Sequence, residues 1–356
     1  MLFRIIGDNL MDLSNIYNKL PKRLKKSENL TIILMKIYKF ITKHKKNNEE
    51  ENQMLNFLFK YTDIKVTGTL RDIQLIYVEL MKFIDNVCNK YDLEYWLAYG
   101  TLIGAVRHEG FIPWDDDFDI IMMRTDYDKL IEVLPEEISK YPYFKEHCAL
   151  TRLISMDENY FKGFNSIYDE GHGDYFLDSG LSKSLFLQLG WLKPLVKLDI
   201  FPYDYVKEES REYYTKNYLA HKYYFRGLYS EENFSFDDEF KKRFEKLGFS
   251  HDETNYIAEG IDSSYFDDFG ILDKNLIFPL KTINFEGCEF KCPNKCDEVL
   301  KIWYGVNYMN IPSDIRVHNY SEYNLSLFDS KQEMENSFKE TLNYLIEINE
   351  NFNKYE

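Results

Sequence analysis

Four carboxylates in five positions, Asp115, Asp116, Asp117 and Asp119, run straight into an apolar stretch of Phe118, Ile120, Ile121, Met122 and Met123. Like charges this close repel one another and raise each other's pKa, and apolar neighbours remove the water that would screen them. A solvated acidic face fits poorly beside such a flank; a bound divalent cation resolves the repulsion, and Mg²⁺ takes one or two carboxylates together with substrate phosphates. Read as a strand over residues 114–123, the stretch sends Asp115, Asp117 and Asp119 to one face and Phe118, Ile120 and Met122 to the other. Asp116 then points away from the working acids. A calcium loop of the EF-hand kind fits worse. Counted from Asp115, it has Ile120 where the loop needs Gly and Asp126 where it needs Glu.

A strand-like segment, residues 95–99, ends upstream at Gly100-Thr101, and a short helix with Leu102, Ile103, Ala105 and Val106 is expected to follow. A Gly at a strand-to-helix turn lets backbone N–H groups approach a phosphate, and the positive end of the helix favours its charge. Before it, residues 70–91 place Leu70, Ile73, Ile76, Tyr77, Leu80, Phe83, Ile84 and Val87 at the three-four spacing of an amphipathic helix. After the acids, a helix is expected from Thr125 to Pro135. Residues 195–203 (LVKLDIFPY) form a short strand with one acid, Asp199. Residues 236–265 look helical, 278–290 read as a hairpin, 293–308 as a short helix plus loop, and 329–356 as a charged terminal helix. The span 150–235 is aromatic-rich and shows no clear period.

Charge narrows the function classes. Residues 1–50 hold eleven Lys/Arg against five Asp/Glu, or +6, so with a net charge of −16 the remainder carries −22. Affinity for nucleic acid comes mainly from Lys and Arg neutralising phosphates, so a body this acidic makes nucleic acid an unfavourable partner. No run of about 20 apolar residues suggests a membrane span. Residues 30–41 (LTIILMKIYKFI), within the basic stretch 19–46, can lie on an anionic membrane surface or pack as an ordinary surface helix. The five cysteines, with no secretory signal, point to a reducing compartment. The spacing of Cys288, Cys292 and Cys296 leaves open part of a zinc site or three small semi-buried residues.

The segment YGTLIGAVRHEGFIPWDDDFDI (residues 99–120), followed by Arg124-x-Asp126-Tyr127, then Leu198-Asp199-Ile200-Phe201-Pro202 and FEGCEFKCPN leading to Tyr304-Gly305-x-x-Tyr308-Met309, resembles the LicD family. This family includes the fukutin-related proteins and belongs to the nucleotidyltransferase superfamily. The resemblance spans residues 67–320. It implies an α+β fold, a nucleotidyltransferase-like mixed β-sheet core with flanking helices. The chain then divides into a basic helical arm (1–60), the catalytic domain (61–325) and a C-terminal helix (326–356). The implied activity is Mg²⁺- or Mn²⁺-dependent transfer of a phosphorylated alcohol, phosphocholine from CDP-choline being the best-known case. The acceptor would be a hydroxyl of a glycan or glycolipid such as a teichoic-acid or lipopolysaccharide precursor, with release of CMP. That places the protein in the cytoplasm, with peripheral contact to the inner membrane face through residues 19–46 as one option.

Carried over by position, Asp117, Asp119 and Asp199 are the metal acids, and Asp115 or Asp199 is the base for the acceptor hydroxyl. Gly100 and Thr101 would cradle a phosphate, with Arg107 and His108 as diphosphate contacts or as packing near the turn. Trp114 either stacks on substrate or fills core, and Arg124 and Arg316 are anion contacts. Asp126 is expected to cap its helix. Aromatic residues between Tyr160 and Tyr229 offer a cation–π cage for choline or ordinary core. Two other classes stay open. A metal-dependent glycosyltransferase also grips a nucleotide diphosphate through D-x-D but releases a nucleoside diphosphate. A non-catalytic binding module would bind without turnover.

Overall fold

The computed structural model describes residues 66–151, 184–188, 195–228, 235–263, 269–311 and 328–354. The basic arm, His172, most of the aromatic span and Arg316 lie outside the described residues. Among the described residues no helix is long and apolar enough to cross a membrane.

The described part is α+β. Helix α1 (Thr69–Lys90) leads into β1 (Trp96–Leu97), α2 (Tyr99–His108), β2 (Phe118–Met123), α3 (Arg124–Ser139) and α4 (Pro142–His147). Strands β3 (Cys148–Thr151), β4 (Ser184–Gln188) and β5 (Leu195–Val206) follow, then α5 (Arg211–Leu228), α6 (Phe236–Leu247), β6 (Phe249–Ser250), β7 (Tyr256–Glu259) and β8 (Ile271–Asp273). The chain continues with α7 (Lys274–Ile277), the hairpin β9 (Lys281–Phe285) and β10 (Cys288–Cys292), then α8 (Cys296–Tyr304) and α9 (Lys331–Glu350).

One mixed sheet organises these elements, in the order β1-β2-β5-β4-β3, with β6 and β7 pairing further along β5 and β8 joining β7. Among the described residues only β2 and β5 run parallel; the other pairings described in this sheet are antiparallel. The apolar stripe of α1 forms as its spacing predicts: Ile73, Ile76, Tyr77, Leu80, Phe83, Ile84 and Val87 are all buried. Burying each large apolar side chain contributes about 1.5–3 kcal/mol. Helix α9 packs along α1, where Asn349 Nδ2 donates to Glu79 O at 2.9 Å. The aromatic residues of α5 that are described, Tyr214, Tyr218, Tyr223 and Phe225, fill a second core with Phe244, Leu247 and Phe249.

Several expectations change. The acidic strand begins at Phe118, so Asp115, Asp116 and Asp117 lie in the loop before it, where Asp115 N–H closes a turn on Ile112 O at 2.9 Å. All six residues of β2 are buried, because β1 and β5 flank the strand and the core covers it; there is no separate ionic face along the strand. Helix α3 runs through Pro135 to Ser139. The segment 236–265 is helical only to Leu247, where Gly248 adopts a left-handed cap, and then turns into β6 and β7. Strand β5 is longer than expected, reaching Val206.

Candidate active site

The parallel pairing of β2 with β5 places Asp119 directly opposite Asp199, although eighty residues separate them. Register partners on neighbouring strands project to the same side, so the two carboxylates stand next to each other. Asp115 and Asp117 sit half-buried in the loop entering β2. Burial first, then the charges of Asp117, Asp199 and Asp115, hold the Asp119 carboxyl well above the ordinary aspartate range. The four acids therefore share one electrostatic site.

Helix α2 packs against this site and fixes it in two ways. Thr101 Oγ1 accepts the N–H of Asp119 at 2.9 Å, with both residues buried. This hydroxyl locks the acid's backbone, a role distinct from the phosphate cradle expected for it. Gly100 lies so close to Asp115 that a Cβ there would stand 3.0 Å from Asp115 Oδ2. Just before it, Tyr99 begins the helix with φ at 42°, a left-handed backbone that costs an L-residue about 1–2 kcal/mol. Its ring is held by Phe269 at 4.5 Å and Trp303 at 5.0 Å, and its hydroxyl meets that of Tyr203 at 3.3 Å.

Asp116 is the most buried of the three loop acids, at 3% exposure. Strand alternation does not apply in the loop, so the argument that turned it away from the site falls, although the acids whose charges act on Asp119 are Asp117, Asp199 and Asp115. With Asp117, it adds to the burial that raises the Tyr77 phenol well above its ordinary value.

The other expected residues are placed as follows. Arg107 is buried and donates from Nη1 to Tyr308 O and Asn310 O, both at 3.0 Å, and from Nε to His108 Nε2 at 3.0 Å. It ties α2 to the loop after α8. His108 is buried edge-on to Trp114 at 6.4 Å, and Trp114 is half-buried against the main core. Asp126 does not cap its own helix; its Oδ2 accepts the N–H of Glu94 at 3.3 Å.

Arg124 is not presented to an anionic ligand. Its fork is closed by Asp204 (2.9 and 2.7 Å) and Asp262 (3.0 and 2.7 Å), whose charges overcome the burial that opposes the guanidinium charge. A Cβ on Gly260 would come within 2.5 Å of Arg124 Nη2, so only glycine admits this close approach.

Sequence reasoning missed three neighbours of the acids. Gln74, buried on α1, donates from Nε2 to Asp115 O at 2.9 Å. The Tyr77 hydroxyl accepts the N–H of Lys197 at 3.2 Å. The Lys197 ammonium stands 2.8 Å from Asp199 Oδ2. The i, i+2 spacing of Lys197 and Asp199 on a strand was a legible signal for the last of these. Nothing local announces the first two, which join distant segments.

A divalent cation suits the chemistry of the site. The donors are carboxylate oxygens only, the set that hard cations prefer, and a buried acid crowded by three others gains most from a cation. As the side chains stand, no group of three or more His, Cys, Asp or Glu is gathered into a metal-ligand set among the described residues. The same holds for the cysteines, all five of them free thiols. Cys288 and Cys292 cap opposite ends of β10, and Cys296 donates to Pro293 O at 3.2 Å.

Residues 92–207, which carry Asp115, Asp117, Asp119 and Asp199, match the family model for the LicD/FKTN/FKRP nucleotidyltransferase domain. The lipopolysaccharide cholinephosphotransferase LicD of Haemophilus influenzae is 42% identical over 73 residues, 20% of this chain and 28% of that protein. Uncharacterized protein RP689 of Rickettsia prowazekii is 33% identical over 107 residues, 28% of this chain and 40% of its own. Uncharacterized protein RT0683 of Rickettsia typhi is 26% identical over 197 residues, 50% of this chain and 61% of its own. The chain thus spans between about a quarter and three fifths of these relatives. The family match and the H. influenzae relative meet on the segment that builds the acid site, so residues 92–207 are similar to the LicD-type nucleotidyltransferase domain.

Proposed function

We propose that the protein is a phosphotransferase that moves a phosphorylated alcohol, phosphocholine first, from a CDP-linked donor to a hydroxyl of a surface glycan. The carrying observation is the pairing of Asp119 with Asp199 in one register, beside Asp115 and Asp117, within a LicD-type domain. The name of the H. influenzae relative supports choline as the alcohol and lipopolysaccharide as the acceptor class. In the reaction the acceptor oxygen bonds to the phosphorus that carries the alcohol. The bond from that phosphorus to the CMP oxygen breaks, and the acceptor's proton passes to a carboxylate.

Asp117, Asp119 and Asp199 would hold Mg²⁺ or Mn²⁺, which when bound neutralises charge on the diphosphate and on the departing CMP. Asp115, which lies against Gly100, would orient and deprotonate the acceptor hydroxyl, with Asp199 as the alternative base. The N–H groups at the start of α2 can receive a phosphate at the positive end of the helix. Thr101 keeps Asp119 in place while this happens.

The test is CMP release from CDP-choline with Mg²⁺ and a glycan acceptor. Asp117→Ala and Asp119→Ala are expected to lose at least about a hundredfold in rate with circular dichroism unchanged. Full activity in both variants, or in excess chelator, overturns the reading. Release of a nucleoside diphosphate from a nucleotide sugar would replace it with sugar transfer.

A further inference from the structure

We propose that Lys197 is the resident counter-ion of the carboxylate site, displaced from Asp199 by a divalent cation and then passed to the donor's diphosphate. The inference rests on the metal-dependent reading above and concerns a residue that reading does not use. Lys197 and Asp199 are two apart on β5, so both side chains project to the side where Asp119 stands. The ammonium lies 2.8 Å from Asp199 Oδ2, with the two side chains only 20% and 9% exposed. Its charge also acts on Asp119, where it opposes the carboxylates.

A metal ion and an ammonium on the two oxygens of Asp199 repel each other, the more so where both side chains are largely buried. Cation entry therefore favours departure of the ammonium. Its backbone stays fixed, since the Lys197 N–H is held by the Tyr77 hydroxyl at 3.2 Å, so the movement belongs to the four-carbon stem. A diphosphate arriving on the metal brings the negative charge that the displaced ammonium lacks, and a lysine binds phosphate well as a mobile point charge.

The experiment is calorimetric titration of the full chain with Mn²⁺, with and without CDP, in wild type, Lys197→Gln and Lys197→Arg. Without CDP, K197Q is expected to bind Mn²⁺ about tenfold or more tighter, the worth of one charge-assisted hydrogen bond no longer in competition. With Mn²⁺ present, K197Q is expected to bind CDP about tenfold more weakly. K197R, which keeps the cation, stays near wild type in both titrations. Damage to the fold would weaken metal binding, the opposite sign. A second readout needs no variant: acetylation of the Lys197 amine by acetic anhydride, followed by mass spectrometry, should rise on adding Mn²⁺ and fall again on adding CDP. Equal or weaker Mn²⁺ binding by K197Q, or labelling that ignores Mn²⁺, overturns this inference while leaving phosphotransfer standing if CMP release persists. A wild type that binds no divalent cation overturns both.

Discussion

Replacing Thr101 by valine tests whether helix α2 positions the acid strand. The two side chains have nearly the same shape, so the change leaves no cavity and removes one acceptor. The Asp119 N–H, now 2.9 Å from Thr101 Oγ1, would be left buried at a position where Thr101 is 1% exposed. An orphaned buried donor costs about 1–3 kcal/mol. In a domain of this size that lowers the melting temperature by roughly 2–10 °C. The released backbone also lets Asp119 drift, and a displacement of about 1 Å in a positioned group can cost on the order of a hundredfold in rate. Thr101→Ser keeps the hydroxyl and loses a methyl, so it should lose about 1 kcal/mol of stability and little activity. Chemical denaturation of the metal-free protein measures the first effect, and CMP release measures the second. A valine variant with the wild-type denaturation midpoint would refute the argument regardless of what the protein catalyses.

Two further substitutions probe the charges. Asp119→Asn, measured in chelator near neutral pH, should be more stable than wild type yet inactive, because a crowded buried carboxylate is relieved. The raised folded pKa means the folded state holds this proton more tightly. That stabilisation is present at low pH and is lost as pH rises from the ordinary aspartate range through the raised folded value, so the gap between variant and wild type opens over that window. A variant less stable than wild type at neutral pH would overturn this account. Arg124→Met strands Asp204 and Asp262, whose side chains are 0% and 3% exposed, and should cost about 3–5 kcal/mol in a urea titration. A loss under 1 kcal/mol would show that the fork is not a structural tie.

The sequence by itself determined the elements whose pattern repeats locally. The three-four spacing of Ile73, Ile76, Leu80, Phe83 and Val87 specified α1, the run around Cys288 specified the hairpin, and the crowding of acids before an apolar strand marked the candidate site. Periodicity also had a sharp limit. It says which way a side chain points only inside a regular element, so it failed for Asp115–Asp117 as soon as these proved to lie in a loop, and Asp116 came out buried.

Only the tertiary structure decided which charges meet. Asp119 faces Asp199 because β2 pairs in parallel with β5, a register chosen by the packing of the whole sheet. Arg107 and Arg124 looked available for anions in the chain, but distant carbonyls and carboxylates already engage them. A cation buried on folding is stable only if an anion or oxygen dipole is buried with it, and that partner comes from wherever the fold brings the chain back.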